Sequence, residues 1–414
     1  MRVSKLFTKT SKSAPSDEVS KNAQLLIRAG FVSKEMAGVY TYLPLGKIVL
    51  DKIISIIREE MNSIGGNEIS MTALQQKDVW ETSGRWSDDV IDVWFKTKLA
   101  SGSEIGLAPT HEEPLTQLMK NFIHSYKDLP VYPYQFQIKF RNELRSKSGL
   151  MRGREFWMKD LYSFSRTQQE HDAFYDRISD VYLRIYERLG LGDLTYKTFA
   201  SGGSFSKYSH EFQTVSPVGE DTIYVHEGKK IAINQEVFND EVLENLGINR
   251  DELVEKTAVE VGNIFTLGTK YSDALDLTYT DEDGTSKKVF MGSYGIGPSR
   301  LMGVIAEHFA DDRGLVWPQH IAPATVYLVR IGNEDAVTQA DTLYDELMAQ
   351  GIDVLYDDRD VRPGEKFADS ELMGIPYRVT VSDRLIADNQ YEFTERRTGE
   401  TNLLTHDELL AKLS

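Results

Sequence analysis

Phe140-Arg141-Asn142-Glu143, followed by the loop Ser146-Lys147-Ser148-Gly149 and then Arg152-Gly153-Arg154-Glu155-Phe156, is the stretch that decides the architecture of this chain. Upstream, Leu129 to Phe140 alternates around Tyr132, Tyr134, Phe136 and Ile138, the period of a strand. Phe156 to Phe164 reads as a second strand antiparallel to it. Arg141 and Glu143, two apart on an extended segment, would face the same side. An arginine fork there can take a carboxylate and a phosphate oxygen together. The neighbouring carboxylate can accept from a nucleobase amino group, Phe156 offers a ring for stacking, and the basic loop can close over phosphates. Alone, such a short pattern is more often an edge strand with a solvated basic loop.

A second segment far downstream changes that balance. Gly292-Ser293-Tyr294-Gly295-Ile296-Gly297-Pro298-Ser299-Arg300 reads as a strand over Phe290–Ile296 passing through a glycine turn into a helix over Pro298–His308. Glycines let backbone approach a ligand closely. Arg300 falls in the first helical turn, where a positive charge opposes the helix dipole unless an anion sits against it. The glycine spacing lacks the order of a dinucleotide-binding fingerprint, and no βαβ unit with a ribose-binding acid follows.

Around these two segments the chain divides. At 414 residues it exceeds one ordinary core. A helix is expected over 17–30, an aromatic and β-branched segment over Ala37–Leu45, and a helix over Lys47–Ile64 with Val49, Leu50, Ile53, Ile54, Ile57 and Met61 on one face. Ile69–Leu74 reads as a short strand and Gln168–Leu189 as an amphipathic helix. Ile223–Glu260 is polar and acidic, with a short helix over Asn239–Leu246. Beyond Trp317-Pro318 and Pro323 the pattern becomes alternating strand and helix: Thr325–Ile331, Ala336–Gln350, Asp353–Tyr356, Lys366–Met373, Tyr377–Val381. The expected architecture is an α+β catalytic domain with an antiparallel sheet over 1–320, and a small α/β domain over 321–414.

Composition narrows the function. With 41% hydrophobic and 27% charged residues this is a globular composition. The chain has no cysteine, which excludes disulfides and thiolate zinc sites. The net charge of −17 argues, taken alone, against phosphate-rich partners, although binding depends on local patches. No apolar run reaches the length of a membrane span. The opening Met1–Ser13 is basic and hydroxyl-rich, as an organellar targeting segment can be.

Two further clusters carry chemistry. Pro109-Thr110-His111-Glu112-Glu113 brings a hydroxyl and two carboxylates together, which suits an ammonium group and equally suits a helix N-terminus with acids in its first turn. Ser209-His210-Glu211-Phe212-Gln213 follows Gly202-Gly203-Ser204. A lone histidine such as His210 is more often packed than reactive.

The segments around Arg141 and Arg300 resemble motifs 2 and 3 of class II aminoacyl-tRNA synthetases. Over nearly its whole length the chain resembles the bacterial-type prolyl-tRNA synthetases. The runs that carry this, in the family's order, are Leu26-Ile27-Arg28-Ala29-Gly30-Phe31, Glu81-Thr82-Ser83-Gly84-Arg85-Trp86, Pro109–Glu113, Met151–Asp160, Ser209–Phe212 and Leu267-Gly268-Thr269-Lys270-Tyr271-Ser272. The C-terminal part resembles the family's anticodon-binding domain around Asp357-Asp358-Arg359 and Gly374-Ile375-Pro376. The basic N-terminus looks like the family's own first residues, which favours a cytoplasmic protein over a targeted one.

The resemblance implies activation of L-proline by ATP with Mg²⁺ on the phosphates, then transfer to the 3′ end of tRNA(Pro) by a homodimer. It implies that Arg141 holds the carboxylate and α-phosphate, Glu143 meets adenine, Phe156 stacks on it, and Arg152 and Arg300 bind the distal phosphates. Thr110 and Glu112 would take proline's ammonium. Trp157, Phe164 and His210 would form the pyrrolidine pocket beside Ser293, and Gln213 would reach the ribose or proline. The metal-holding residues stay open.

Three departures from the family pattern stand out. Ile223–Glu260 is far too short for the editing insertion, so alanine clearance would need a separate deacylase. Ser293 stands where bacterial members often have cysteine, and Thr72 where motif 1 usually has proline. A catalytically silent paralogue would be expected to lose the motif arginines, all of which are present. A threonine enzyme would be expected to carry a cysteine zinc ligand, and there is none.

Overall fold

The computed structural model describes residues 1–146, 148–203 and 208–413. The contacts divide the chain into two compact units. One gathers residues 1–53, 147–150 and 302–414; the other gathers 54–146 and 151–301.

The second unit is built on a nine-stranded sheet. Its strands are β1 (Asn67–Glu68), β2 (Pro133–Phe140), β3 (Glu155–Ser165), β4 (Thr195–Ser201), β5 (Tyr208–Val215), β6 (Asp221–His226), β7 (Ile231–Asn234), β8 (Val254–Gly268) and β9 (Phe290–Ile296), in the order β5-β4-β7-β6-β8-β9-β3-β2-β1. Its middle, β8-β9-β3-β2, is antiparallel throughout. Strand β5 also pairs with β8, so β5, β4, β7, β6 and β8 close into a ring of pairings. The helix Gln168–Arg188 lays His171, Phe174, Ile178, Val181, Tyr182 and Ile185 inward, and Thr167 caps its first turn through Glu170 N–H.

Several sequence expectations shift. The 69–74 segment is not one strand: β1 ends at Glu68 and a separate strand begins at Leu74. Between them Ile69 N–H still reaches the Tyr134 carbonyl at 2.8 Å, but Met71 N–H donates to a side chain, Gln135 Oε1, at 3.0 Å. The strand before Arg141 ends at Phe140, so Arg141 and Glu143 lie in the loop beyond it, where Glu143 N–H donates to the Arg141 carbonyl at 2.8 Å. The polar 223–260 segment contains the expected helix, Asp240–Leu246, and also most of β6, all of β7 and the start of β8. Its strand character lies in Ile223, Val225 and Ile233, which are buried in apolar clusters.

In the first unit, β10 (Val326–Ile331), β11 (Val354–Asp357) and β12 (Tyr377–Ser382) are parallel, and β13 (Tyr391–Glu395) and β14 (Thr401–Leu404) extend the sheet antiparallel. Val326, Leu328, Leu343, Leu347, Val379 and Phe393 are among its core residues. The N-terminal residues pack on this sheet. Arg2 pairs with Tyr356 as a bridge, its guanidinium lies over the Tyr344 and Tyr356 rings at 5.1 and 4.8 Å, and it meets Asp341 at 3.0 Å. Asn22, fully buried, donates to Glu307 Oε2 at 2.9 Å and accepts from Leu150 N–H at 3.0 Å.

Candidate active site

Cross-strand register puts the site on one face of the sheet. Asp160 on β3 stands opposite Gly295 on β9, Gly295 opposite Asn263 on β8, and Asn263 opposite Glu211 on β5. One rung along, Tyr162, Ser293 and Phe265 align in the same way. Since side chains alternate along a strand, these rungs share a face. Asp160, Tyr162, Asn263, Phe265, Ser293 and Gly295 of these rungs line a cavity of about 260 Å³ with Met158, Arg85, Pro109, Thr110, Glu112, Arg141 and Glu143.

The loop before the helix Glu112–Met119 is fixed from below. Lys139, fully buried, donates to Asp160 Oδ2 at 2.9 Å and to His111 Nδ1 at 2.6 Å. His111 Nε2 faces the Thr72 carbonyl at 3.0 Å. The ring is therefore neutral with its proton on Nε2, and burial followed by the Lys139 charge pushes it down to about 4. Tyr162 Oη donates to Asp160 and accepts from His111 N–H. This network satisfies buried polar groups that would otherwise cost about 1–3 kcal/mol each.

Above it, Glu112 gathers hydroxyls. Thr110 Oγ1 donates to Oε2 at 2.6 Å and Ser293 Oγ to Oε1 at 3.2 Å. The helix-terminus reading of Pro109–Glu113 holds, because His111 is the N-cap and Glu112 and Glu113 fill the first turn.

Arg141 faces this carboxylate across the cavity. Its guanidinium meets the Pro109 carbonyl at 3.3 and 3.4 Å, and lies 5.4 Å from the centre of the Phe156 ring. Among the described residues no carboxylate comes within ion-pair distance of it. A half-buried cation with so little compensation is suited to hold an anion. Arg300 donates to the Met151 carbonyl and to the Glu260 backbone and side chain. Arg152 is paired with Glu143 at 2.8 Å and Glu220 at 2.6 Å. Gln213, buried, donates to Glu211 and Asp221 at 2.9 and 2.8 Å. Burial, and then Glu260, push Glu211 up to about 8. Burial also raises Asp221.

Three pocket expectations fall elsewhere in the fold. Trp157 pairs with Ile138 and belongs to the opposite face of β3; Met158 takes the place in the cavity wall. Phe164 shares the face of Tyr162 but packs in the apolar cluster with Leu115, Met119 and Tyr271. His210 pairs with Ile264, so it leaves the site face, and its Nδ1 meets Tyr175 Oη at 2.9 Å. Gly292 also lies off the site face: an added Cβ would come within 2.3 Å of Tyr294 Oη, so close packing explains that glycine. Lys147 and Ser204, in the two loops quoted above, lie outside the described residues. Arg85, Met158, Asp160, Tyr162, Asn263 and Phe265 were missed; alternation from Phe156 would have selected Met158, Asp160 and Tyr162.

Residues 95–309 match the tRNA synthetase class II core domain (G, H, P, S and T), and residues 325–414 match an anticodon binding domain. The chain is 37% identical over 443 residues to a proline–tRNA ligase of Paracoccus denitrificans, covering all of this chain and 97% of that one. The chain belongs to the proline–tRNA ligases. A second member of this ligase family, from Geobacillus sp., is 34% identical, with 99% of this chain and 98% of that one aligned over 561 residues, well beyond the 414 here. That excess length agrees with the short 223–260 segment. Among solved structures, prolyl-tRNA synthetase from Cryptosporidium parvum complexed with L-proline and AMP matches with a TM-score of 0.77 at 20% identity, over 94% of this chain and 73% of that one. The ligase fold is thus shared well beyond sequence similarity.

Proposed function

We propose that this chain activates L-proline with ATP and transfers the prolyl group to the 3′ end of tRNA(Pro). The observation that carries the reading is the opposition of Arg141 and Glu112 across one cavity. An α-amino acid is a carboxylate beside an ammonium, and this site offers an unpaired guanidinium facing a carboxylate with hydroxyls on both oxygens. Proline's secondary ammonium has two N–H donors, matched by Glu112 and Thr110.

A carboxylate oxygen of proline attacks the α-phosphorus of ATP. The bond to the bridging oxygen breaks, pyrophosphate leaves, and prolyl-adenylate remains. The terminal ribose hydroxyl of the tRNA then takes the prolyl group and AMP leaves. Neither step needs a protein nucleophile, so catalysis is positioning and charge neutralisation. Arg141 bridges carboxylate and α-phosphate, Phe156 supports adenine and Glu143 accepts from its amino group. Arg152 and Arg300 take the distal phosphates, and Gln213 the ribose. Among the described residues no group of three or more His, Cys, Asp or Glu is placed to hold a metal. Mg²⁺ would arrive with the triphosphate, with Glu211 as a candidate to share it; the ion would neutralise phosphate charge there.

The protein works as a cytoplasmic homodimer. No helix among the described residues is long and apolar enough to cross a membrane. With no segment for editing in cis, alanine is rejected only by fit, worth ~1–3 kcal/mol, and a separate deacylase clears the mischarged tRNA. Rapid hydrolysis of alanyl-tRNA(Pro) by the purified protein would refute that. The activation reading is tested by amino-acid-dependent ATP–pyrophosphate exchange with proline, alanine, threonine and serine. Strong exchange with proline is expected, and its absence with all four would overturn the reading.

A further inference from the structure

Arg85 lies in the loop after the helix Lys77–Thr82, nearly buried, and lines the same cavity. One of its nitrogens, Nη1, donates to Glu113 Oε1 and Oε2 at 2.9 and 3.1 Å and sits 3.5 Å from Glu112 Oε2. A single guanidinium is thus held between two successive buried carboxylates, only one of which faces the cavity. Ser83 Oγ, at 2.8 Å, also holds Glu113. Three separated segments of the chain, around Ser83-Gly84-Arg85, Glu112-Glu113 and Lys270-Tyr271, meet here, since Tyr271 Oη also bonds Arg85.

We propose that Arg85 is a positioning residue for the amine subsite: its Nη1 anchors the Glu113 side chain and so fixes the neighbouring Glu112 side chain where it faces the cavity and the substrate ammonium. This rests on the amino-acid-activation reading above. Two adjacent buried carboxylates without a cation between them cannot both ionise readily and share a proton. A shared proton would draw Glu112 toward Glu113 and away from the substrate. Burial pushes Glu113 up, and Arg85 is the largest influence opposing that. The other charged or titratable groups that face the trio are Lys270 and Tyr271 from the helix Lys270–Ala274, Lys139 and Arg141 at the end of β2, Tyr162 on β3, and His111. Arg85 Nη1 lies within ion-pair distance of both carboxylates.

The test is ATP–pyrophosphate exchange on the full chain, with the KM for proline followed from pH 6 to 9 for wild type, R85M, R85K and R85M/E113Q. The substrate amine stays protonated across this range. R85M is expected to raise the proline KM about tenfold at pH 7 with the KM for ATP unchanged. The inflection of its KM profile should move up by one pH unit or more, so that affinity recovers at high pH. R85M/E113Q, left with one carboxylate, should lose that inflection, and R85K should return it toward wild type. A role in packing alone would lower the active fraction and leave the proline KM and its pH profile as in wild type, which would overturn the assignment. Should R85M not fold, the R85K profile decides: an inflection unmoved from wild type with a raised KM for both substrates would also overturn it. Failure of the wild type itself to exchange with proline would instead remove the activation reading on which the assignment stands.

Discussion

Ser293 Oγ donates to Glu112 Oε1 at 3.2 Å, joining the glycine-rich strand β9 to the first turn of the helix Glu112–Met119. The family position often filled by cysteine thus carries a hydroxyl that aims the Glu112 carboxylate. A hydrogen bond to a charged group is worth ~1.5–3 kcal/mol. S293A is therefore expected to raise the KM for proline by roughly tenfold or more with ATP binding intact. S293C, a weaker donor of similar size, should fall between. Pyrophosphate exchange at varied proline concentration reads both.

Met158, not Trp157, stands in the cavity wall. M158A should enlarge the pocket and weaken proline binding by about 1–3 kcal/mol while narrowing the ratio of proline to alanine activation. W157F should leave that ratio unchanged. A shift of specificity in W157F and none in M158A would reverse the assignment of faces.

Arg152 is paired with Glu143 and half exposed. Separating such a pair costs only ~0–1 kcal/mol, so both groups are readily released to ATP. R152A should raise the KM for ATP about tenfold, taking one phosphate contact as ~1.5 kcal/mol, without moving the KM for proline. An equal rise in both would place Arg152 in general folding of the loop.

Glu211 is pushed up to about 8 by burial and by Glu260. Its folded value exceeds its unfolded one, so the folded chain binds an extra proton between the two. Stability from this group is full below the unfolded carboxylate range and is lost as pH rises toward about 8. E211Q should accordingly raise the thermal midpoint relative to wild type by several degrees near pH 8 and hardly at all near pH 5. A gain that is constant with pH would contradict this.

The elements around the site were largely legible because their patterns are local. The strand Phe290–Ile296 and the helix Pro298–His308 match the expected bounds, since a glycine turn followed by proline at the helix start marks both ends. The positions Val49, Leu50, Ile53, Ile54, Ile57 and Met61 are all buried as their spacing implied. What the sequence hid was register. The fifteen-residue strand β8 passed unnoticed because its start is polar, and with it went Asn263 and Phe265. The Trp157 assignment erred for a related reason: size suggested a pocket wall, whereas alternation with Phe156 decides the face. Arg85 could not be found by local pattern at all, because its partners come from segments far along the chain.

The bridge between Arg2 and Tyr356 has a consequence for biosynthesis. The leading residues emerge from the ribosome long before the strand that receives them exists. At typical elongation rates of about 5–20 residues per second they wait on the order of tens of seconds for Tyr356. During that interval Arg2, whose charge finally rests on two tyrosine rings and Asp341, is solvated and unpaired. The first unit can close only after the strand that carries Tyr356 has been made, so the segment around Arg2 joins the fold late.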